Sequence, residues 1–210
     1  MAGAREPIHI SILVSGGGSN LQAVMDGVAD GRIAGARIGL VISSKEDAYA
    51  LLRAERAGIP TAVVGKSGYP GDDERAERLL GLLSAARTDM IALAGYMHVL
   101  SPRVIAPYAG RIVNIHPSLI PRHCGMGYYG RRVHEAVLAS GDKQSGATVH
   151  FVDEGVDTGD VIVQRAVPVL GGDTPETLAA RVLETEHDII VEAVAKVVDG
   201  LREAEGKHEK

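Results

Sequence analysis

The sequence predicts an open α/β fold: a mostly parallel twisted sheet with helices on both faces and an antiparallel extension at its carboxyl end. Three observations carry this. β-Branched apolar runs alternate with helix-period segments from Ile8 onward. A glycine run, Ser15-Gly16-Gly17-Gly18-Ser19-Asn20, stands where the first strand hands over to the first helix. The last two strand-like runs are joined by an acidic, glycine-bearing loop with no helix between them, which suits antiparallel pairing.

The elements follow in order. Residues 8–14 read as a buried strand, 20–29 as a helix and 37–42 as a second strand. A helix over 48–57 ends at Gly58, and Gly58-Ile59-Pro60 leads into a short strand at 61–64. Residues 72–86 form a polar amphipathic helix, 90–94 a buried strand, and 112–115 a strand ending at His116. A helix over 133–140 precedes strands at 146–152 and 161–169. The last helix opens with Thr174 as N-cap, Pro175 at the first helical position and Glu176 in the first turn, and runs to about residue 200. The sum is a Rossmann-like single domain over residues 1–201, followed by a polar tail at 202–210 expected to fray.

With 210 residues, 45% of them apolar, the chain can bury one sizeable core. The net charge of −5, with Lys and Arg dispersed, argues against a nucleic-acid surface. One cysteine, Cys124, excludes an intrachain disulfide and suits a reducing compartment. The amino-terminal stretch lacks a secretory layout, and no apolar run approaches the ~18 residues of a membrane span, so a cytoplasmic location is expected.

The glycine run places free backbone N–H groups at a helix start, where the dipole favours an anion such as a terminal phosphate. Three glycines cost too much chain entropy for a plain turn. The run is a poor dinucleotide fingerprint, because Leu21 holds the third glycine position and the second strand ends Ile42-Ser43-Ser44-Lys45, with no acidic residue at its tip for a ribose. A side chain at Gly18 is expected to block backbone approach to the phosphate.

In Asn114-Ile115-His116-Pro117, residues 114 and 116 face the same side of an extended chain while Ile115 faces the other, and Pro117 holds His116 extended. An amide and a protonated imidazole at a strand's carboxyl end suit stabilisation of the oxyanion formed when an amine attacks a carbonyl carbon. A satisfied core histidine beside a structural asparagine fits the same pair. The loop 152–160 offers Asp153, Glu154, Asp157 and Asp160 to orient the imidazole, and composition does not choose among them. Glu186 lies on the apolar stripe of the last helix, with Leu178, Val182, Ile189, Ala193 and Val197, where a charge needs either a partner or a path to solvent.

The glycine run, Leu93-Ala94-Gly95-Tyr96-Met97, Asn114-Ile115-His116-Pro117-Ser118-Leu119-Ile120-Pro121 and the segment 149–157 closely resemble the folate-dependent formyltransferases that act on glycinamide ribonucleotide, over nearly the whole chain. The resemblance implies transfer of a formyl group from 10-formyltetrahydrofolate to that ribonucleotide's amine in purine biosynthesis, with no metal. It implies Asn114, His116 and Asp157 as the catalytic trio, and His150 behind them. Gly17, Gly18, Ser19 and Asn20 are implied at the phosphate, Gly95 and Glu186 at the rest of the ribonucleotide. Met97, His98, Val99, Leu100, Val152, Asp153 and Glu154 are implied at the folate.

The same resemblance divides the domain into a phosphate-binding half, to about residue 110, and a catalytic and folate-binding half, about 111–201. A monomer or homodimer is expected. Three departures stand out: His98 where an arginine is frequent, Gly71-Asp72-Asp73-Glu74 where the family often offers an arginine toward the substrate, and a long aromatic segment, Arg122 to Gly130. The competing readings are weaker. A formyltetrahydrofolate hydrolase would need a regulatory domain before Ile8, and a transfer-RNA formyltransferase a basic carboxyl-terminal domain. A metal hydrolase built on His116, His123, Cys124 and His134 lacks the usual ligand spacing, and a non-catalytic phosphate-binding module leaves Asn114, His116 and Asp157 unexplained.

Overall fold

The computed structural model describes residues 6–208. Its sheet has the order β3-β2-β1-β4-β5-β6-β7. The strands are β1 (Ile8–Val14), β2 (Ala36–Ser43), β3 (Thr61–Val63), β4 (Met90–Leu93), β5 (Ile112–His116), β6 (Gln144–Phe151) and β7 (Val161–Pro168). All pairs through β5 are parallel, and β6 and β7 pair antiparallel, as the alternation of elements predicts.

Side-chain alternation along the strands builds two cores. Ile8, Ile10, Ile12 and Val14 of β1 point to one face, where α1 (Ser19–Ala29) and α6 (Pro175–His208) cover them with Leu21, Val24, Leu178, Val182 and Ile190. On the other face Leu13 joins Ile42, Ile91 and Leu93 under Leu79 and Leu83 of α3 (Asp72–Ala85) and Val104 of α4 (Pro102–Ile105). A helix α2 (Tyr49–Arg56) and a helix α5 (Arg131–Ala139) complete the layers. Where α1 crosses α6, a Cβ on Gly27 would come within 2.9 Å of Val191 Cγ1, so glycine there sets the approach of the two helices.

Two features differ from expectation. The short α4 and the 3-10 turn Ala106–Tyr108 were not anticipated, because so few residues carry no readable period. The last helix also runs on to His208 rather than ending near Gly200, so residues 202–208 of the expected frayed tail are helical. Leu201 packs on the first core, and Arg202 Nη1 donates to the Gly35 carbonyl at 3.0 Å, which ties down that turn. Residues 1–5 of the expected domain and 209–210 of its tail lie outside the described residues.

Candidate active site

The chain runs outward from β1 to β3, then crosses back to β4 on the other side of β1, so the sheet's switch point lies between β1 and β4. Ligands of open α/β sheets bind beyond the strand ends at such a point. A cleft of about 770 Å³ lies there, extending along β5 and the β6–β7 loop. Ser15 ties the strand ends together: its Oγ is 2.6 Å from Ser44 Oγ and accepts from the Met97 amide at 2.8 Å.

Asn114 and His116 share one face of β5 and line the cleft, while Ile115 packs into the core. Antiparallel pairing sets His150 of β6 opposite Asn114. His150 Nδ1 donates to the Phe151 carbonyl at 2.7 Å, which leaves Nε2 as an acceptor for the Asn114 amide at 3.2 Å. The same amide reaches Asp157 Oδ1 at 3.4 Å.

Asp157 stands in the left-handed region, φ 59, and its Oδ2 accepts from the Gly125 amide at 2.9 Å. That oxygen is 3.5 Å from His116 Nδ1. His116 Nε2 faces the His123 carbonyl at 3.0 Å and donates to it.

Of the four loop acids, Asp157 is the one brought to the imidazole. Asp153 lines the cleft, but its Oδ1 accepts from Gly155 N and Thr158 Oγ1, so it shapes the loop. Glu154 is exposed and does not line the cleft, contrary to the expectation that it contacts the folate; its turn directs it to solvent.

Burial dominates the His116 ring and lowers its pKa despite the Asp157 carboxylate and the His123 carbonyl. Burial thus favours the uncharged ring, whereas the sequence suggested a protonated one. Burial works against the Asp157 charge, but the His150 and His116 rings and the Gly125 amide outweigh it and hold the carboxyl below its ordinary value.

At the amino-terminal end, α1 begins at Ser19 with Gly18 as its cap, and no side chain caps its first amides. Arg53 braces the glycine run by donating from Nε to the Gly17 carbonyl at 2.8 Å. Gly17, Gly18 and Ser19 flank the main cleft rather than line it; Asn20 does line it. Gly18 has φ +72, and a Cβ on it would come within 2.6 Å of Ala50 Cβ, so packing against α2 already demands glycine. Asn20 Nδ2 donates to Glu186 Oε2 at 2.7 Å. Glu186 is 9% exposed and lines the cleft, and burial raises its carboxyl pKa. The stripe position of Glu186 is thus a partnered site rather than a solvent rim.

Gly95, Met97, His98, Val99, Leu100 and Val152 all line the cleft. Met97 and Val99 leave their apolar side chains exposed on this wall, and Met126, Tyr128 and Tyr129 do so on the segment that closes the other side. The aromatic segment after Pro121 is therefore part of the cleft. Arg75 does not supply the missing cation near Asp72, since its guanidinium is paired with Asp72 and donates to the Tyr69 and Pro70 carbonyls.

Three buried polar atoms of cleft-lining residues, Asn20 Oδ1, His98 Nδ1 and His134 Nδ1, have no partner among the described residues. Buried polar groups are ordinarily satisfied, so these three atoms keep unused hydrogen-bonding capacity in the residues of the cleft wall. His134, on α5, was not singled out for this cleft. Its helical position next to other apolar residues resembles an ordinary core histidine.

Comparisons with known proteins agree with this geometry. The formyl transferase family model matches residues 8–194. The chain is 44% identical to the trifunctional purine biosynthetic protein adenosine-3 of Drosophila melanogaster over 91% of its own length, and spans 14% of that protein. It is 39% identical to the phosphoribosylglycinamide formyltransferase of Escherichia coli, covering 92% of this chain and 88% of that one. Among solved structures, glycinamide ribonucleotide transformylase 1 from Symbiobacterium toebii superposes with a TM-score of 0.87 at 40% identity, covering 95% of this chain and 94% of the other. Sheet order, cleft and near-full-length identity point the same way: the chain belongs to the formyl transferase family, alongside the phosphoribosylglycinamide formyltransferases.

Proposed function

We propose that this chain transfers the formyl group of 10-formyltetrahydrofolate to the amine of glycinamide ribonucleotide, a step of purine biosynthesis. The observation that carries the reading is the convergence of Asn114, His116 and Asp157 in one cleft between a helix start suited to phosphate and an apolar wall suited to a flat ring. Its relatives' names support the same substrates.

The folate supplies an activated formyl carbon; the rest is the work of the chain's own residues. Phosphate fits the uncapped amides of Ser19 and Asn20 at the start of α1, with the glycine run around it. The glycinamide end then lies toward Glu186, whose carboxylate accepts from an amine and exchanges part of its burial cost for that contact. Met97, His98, Val99, Leu100 and Val152 face the pterin side, with Asp153 holding the loop beneath it.

As the amine attacks, charge grows on the formyl oxygen. The Asn114 amide is aimed there by His150, and its long 3.4 Å contact with Asp157 is the one most readily given up to an oxyanion. The His123 carbonyl keeps a proton on His116 Nε2, so Nδ1, beside Asp157, is free to take the proton that the amine loses. Asp157 stabilises the resulting imidazolium, which returns the proton to the folate nitrogen that carried the formyl group as the bond between that nitrogen and the formyl carbon breaks and tetrahydrofolate leaves.

The test is folate product absorbance with and without glycinamide ribonucleotide. Product only with the amine present supports transfer, and product without it means hydrolysis. Asp157→Asn should lower turnover by about 10³–10⁴ with its melting point kept, by analogy with the aspartate behind a catalytic histidine. Asp153→Asn, Glu154→Gln and Asp160→Asn should remain active. The assignment fails if Asp157→Asn turns over like the parent while another of the four collapses.

A further inference from the structure

We infer that His123 and Asp142 form an anchor that positions His116 against Asp157, acting through the backbone of the segment 122–125. This rests on the reading of His116 as a participant in formyl transfer.

Two backbone contacts hold the His116–Asp157 pair from outside. The His123 carbonyl accepts from His116 Nε2 at 3.0 Å, and two residues later the Gly125 amide donates to Asp157 Oδ2 at 2.9 Å. That carboxylate oxygen is the one 3.5 Å from His116 Nδ1. One short stretch of backbone therefore grips the outer side of the imidazole and the outer side of the carboxylate together. The spacing of the pair is set by the placement of that stretch.

The stretch does not hold itself in place. His123 has φ 51, a left-handed conformation that is unfavourable for a residue with a side chain. Such a conformation persists where the surroundings fix it. Ser118 Oγ donates to the Arg122 carbonyl at 2.7 Å, and both side chains of the turn then meet one acid: His123 Nε2 lies 2.8 Å from Asp142 Oδ2, and Arg122 Nη2 lies 2.5 Å from Asp142 Oδ1.

Asp142 sits between the end of α5 and the start of β6, on the frame that also carries His150. Its side chain is only 11% exposed, that of His123 only 15%, and the Tyr128 ring stands edge-on to the imidazole at 6.2 Å. The contact with His123 is the chief reason that the Asp142 carboxyl titrates below its ordinary value. Neither His123 nor Asp142 lines the catalytic cleft; both face a separate hollow of about 460 Å³ behind it. They are positioning residues, with no route to substrate except through the turn.

His123→Asn and Asp142→Ala, singly and together, test this. Asparagine tolerates positive φ, so the turn keeps its conformation while the contact with Asp142 is lost. Each single variant should lower kcat about tenfold to a hundredfold with KM for both substrates unchanged, the size expected of a small misplacement of a catalytic group. The double variant should be no worse than the worse single, because both cut the same link.

The His116 ring, followed by NMR, should titrate at lower pH in each variant, since a well-placed carbonyl acceptor favours its protonated form. The other groups facing that ring, Asp157, His150 and His134, are untouched by either change. Parent-like kcat in His123→Asn, measured where His116→Ala is inactive, overturns the anchor and leaves formyl transfer standing. So do losses that multiply in the double variant while the His116 titration stays put. An active His116→Ala instead overturns the reading beneath it.

Discussion

Replacing Gly18 with alanine puts a Cβ 2.6 Å from Ala50 Cβ and 2.8 Å from Ala50 Cα, at φ +72. The left-handed backbone costs about 1–2 kcal/mol once a side chain is present. Pressing a methyl against the first turn of α2 costs about 1–3 kcal/mol more, because one of the two contacted atoms is main chain. The total of about 2–5 kcal/mol corresponds to a fall in melting midpoint of about 4–20 °C for a chain of this size.

Gly17 offers the control. A Cβ built on it meets nothing within 4 Å, so Gly17→Ala should melt within about 2 °C of the parent, as surface substitutions usually do. Scanning calorimetry of the two variants beside the parent, with titration calorimetry for glycinamide ribonucleotide, separates folding from binding. If Gly18→Ala melts with the parent, the packing argument is wrong, and the glycine is there for the phosphate, as the sequence suggests. If Gly17→Ala loses ribonucleotide affinity at parent stability, the glycine run touches the ligand directly.

Two further predictions concern the cleft. Asn114→Ala should lower kcat by about 10²–10³ with little change in KM, the usual loss of one oxyanion donor; turnover within about threefold of the parent would remove that role. Glu186→Gln should abolish tight binding of glycinamide ribonucleotide yet stabilise the empty protein at alkaline pH. Burial raises the Glu186 carboxyl above 4.5, so the folded chain holds a proton that the unfolded chain has released, and parent stability falls as pH rises through that window. The variant has no such proton, so its midpoint should gain on the parent as pH rises above 4.5; a constant gap between the two would show that Glu186 is not charged at a cost.

Most of the fold was legible because strand burial leaves a local signature. Runs such as Ile8–Val14 and Met90–Leu93 are buried along their whole length, and they read as apolar segments interrupted only by His9 and Ser11 of the first. The extension of α6 to His208 was not legible, since a polar sequence became helical through contacts with Gly35 and the core, far away in the chain. The site divides along the same line. Period two alone pairs Asn114 with His116, and helical period places Glu186 on an apolar stripe.

Partners that depend on chain crossing carry no local mark. Asn20 reaches Glu186 across 166 positions, and Asp157 is selected from its neighbours by Gly125 and by its own left-handed backbone. Only the family resemblance pointed to Asp157. The Glu154 expectation went wrong for the converse reason: adjacency in a tight loop says nothing about which way a side chain leaves it.

The antiparallel end of the sheet explains why the side chains of the proposed chemistry gather at β5. A parallel continuation would have placed the next strand's carboxyl end, and hence its loop, beside that of β5, with a helix between them. Reversal does something else. β6 enters from the cleft side of His116, pairs Thr148 with His116 and His150 with Asn114, and leaves at the far end beside Val113. A histidine side chain is thereby held flush against the Asn114 amide by the sheet ladder itself, with its tautomer fixed by the next residue's carbonyl. The loop that follows must turn back to start β7, and its left-handed residue, Asp157, returns the carboxylate to the pair of side chains that the strand has just passed. Two strands and one turn thus bring together the amide, the imidazole and the carboxylate to which the proposed transfer gives the roles of donor, base and counter-charge, while the segment after Pro121 closes over them from outside.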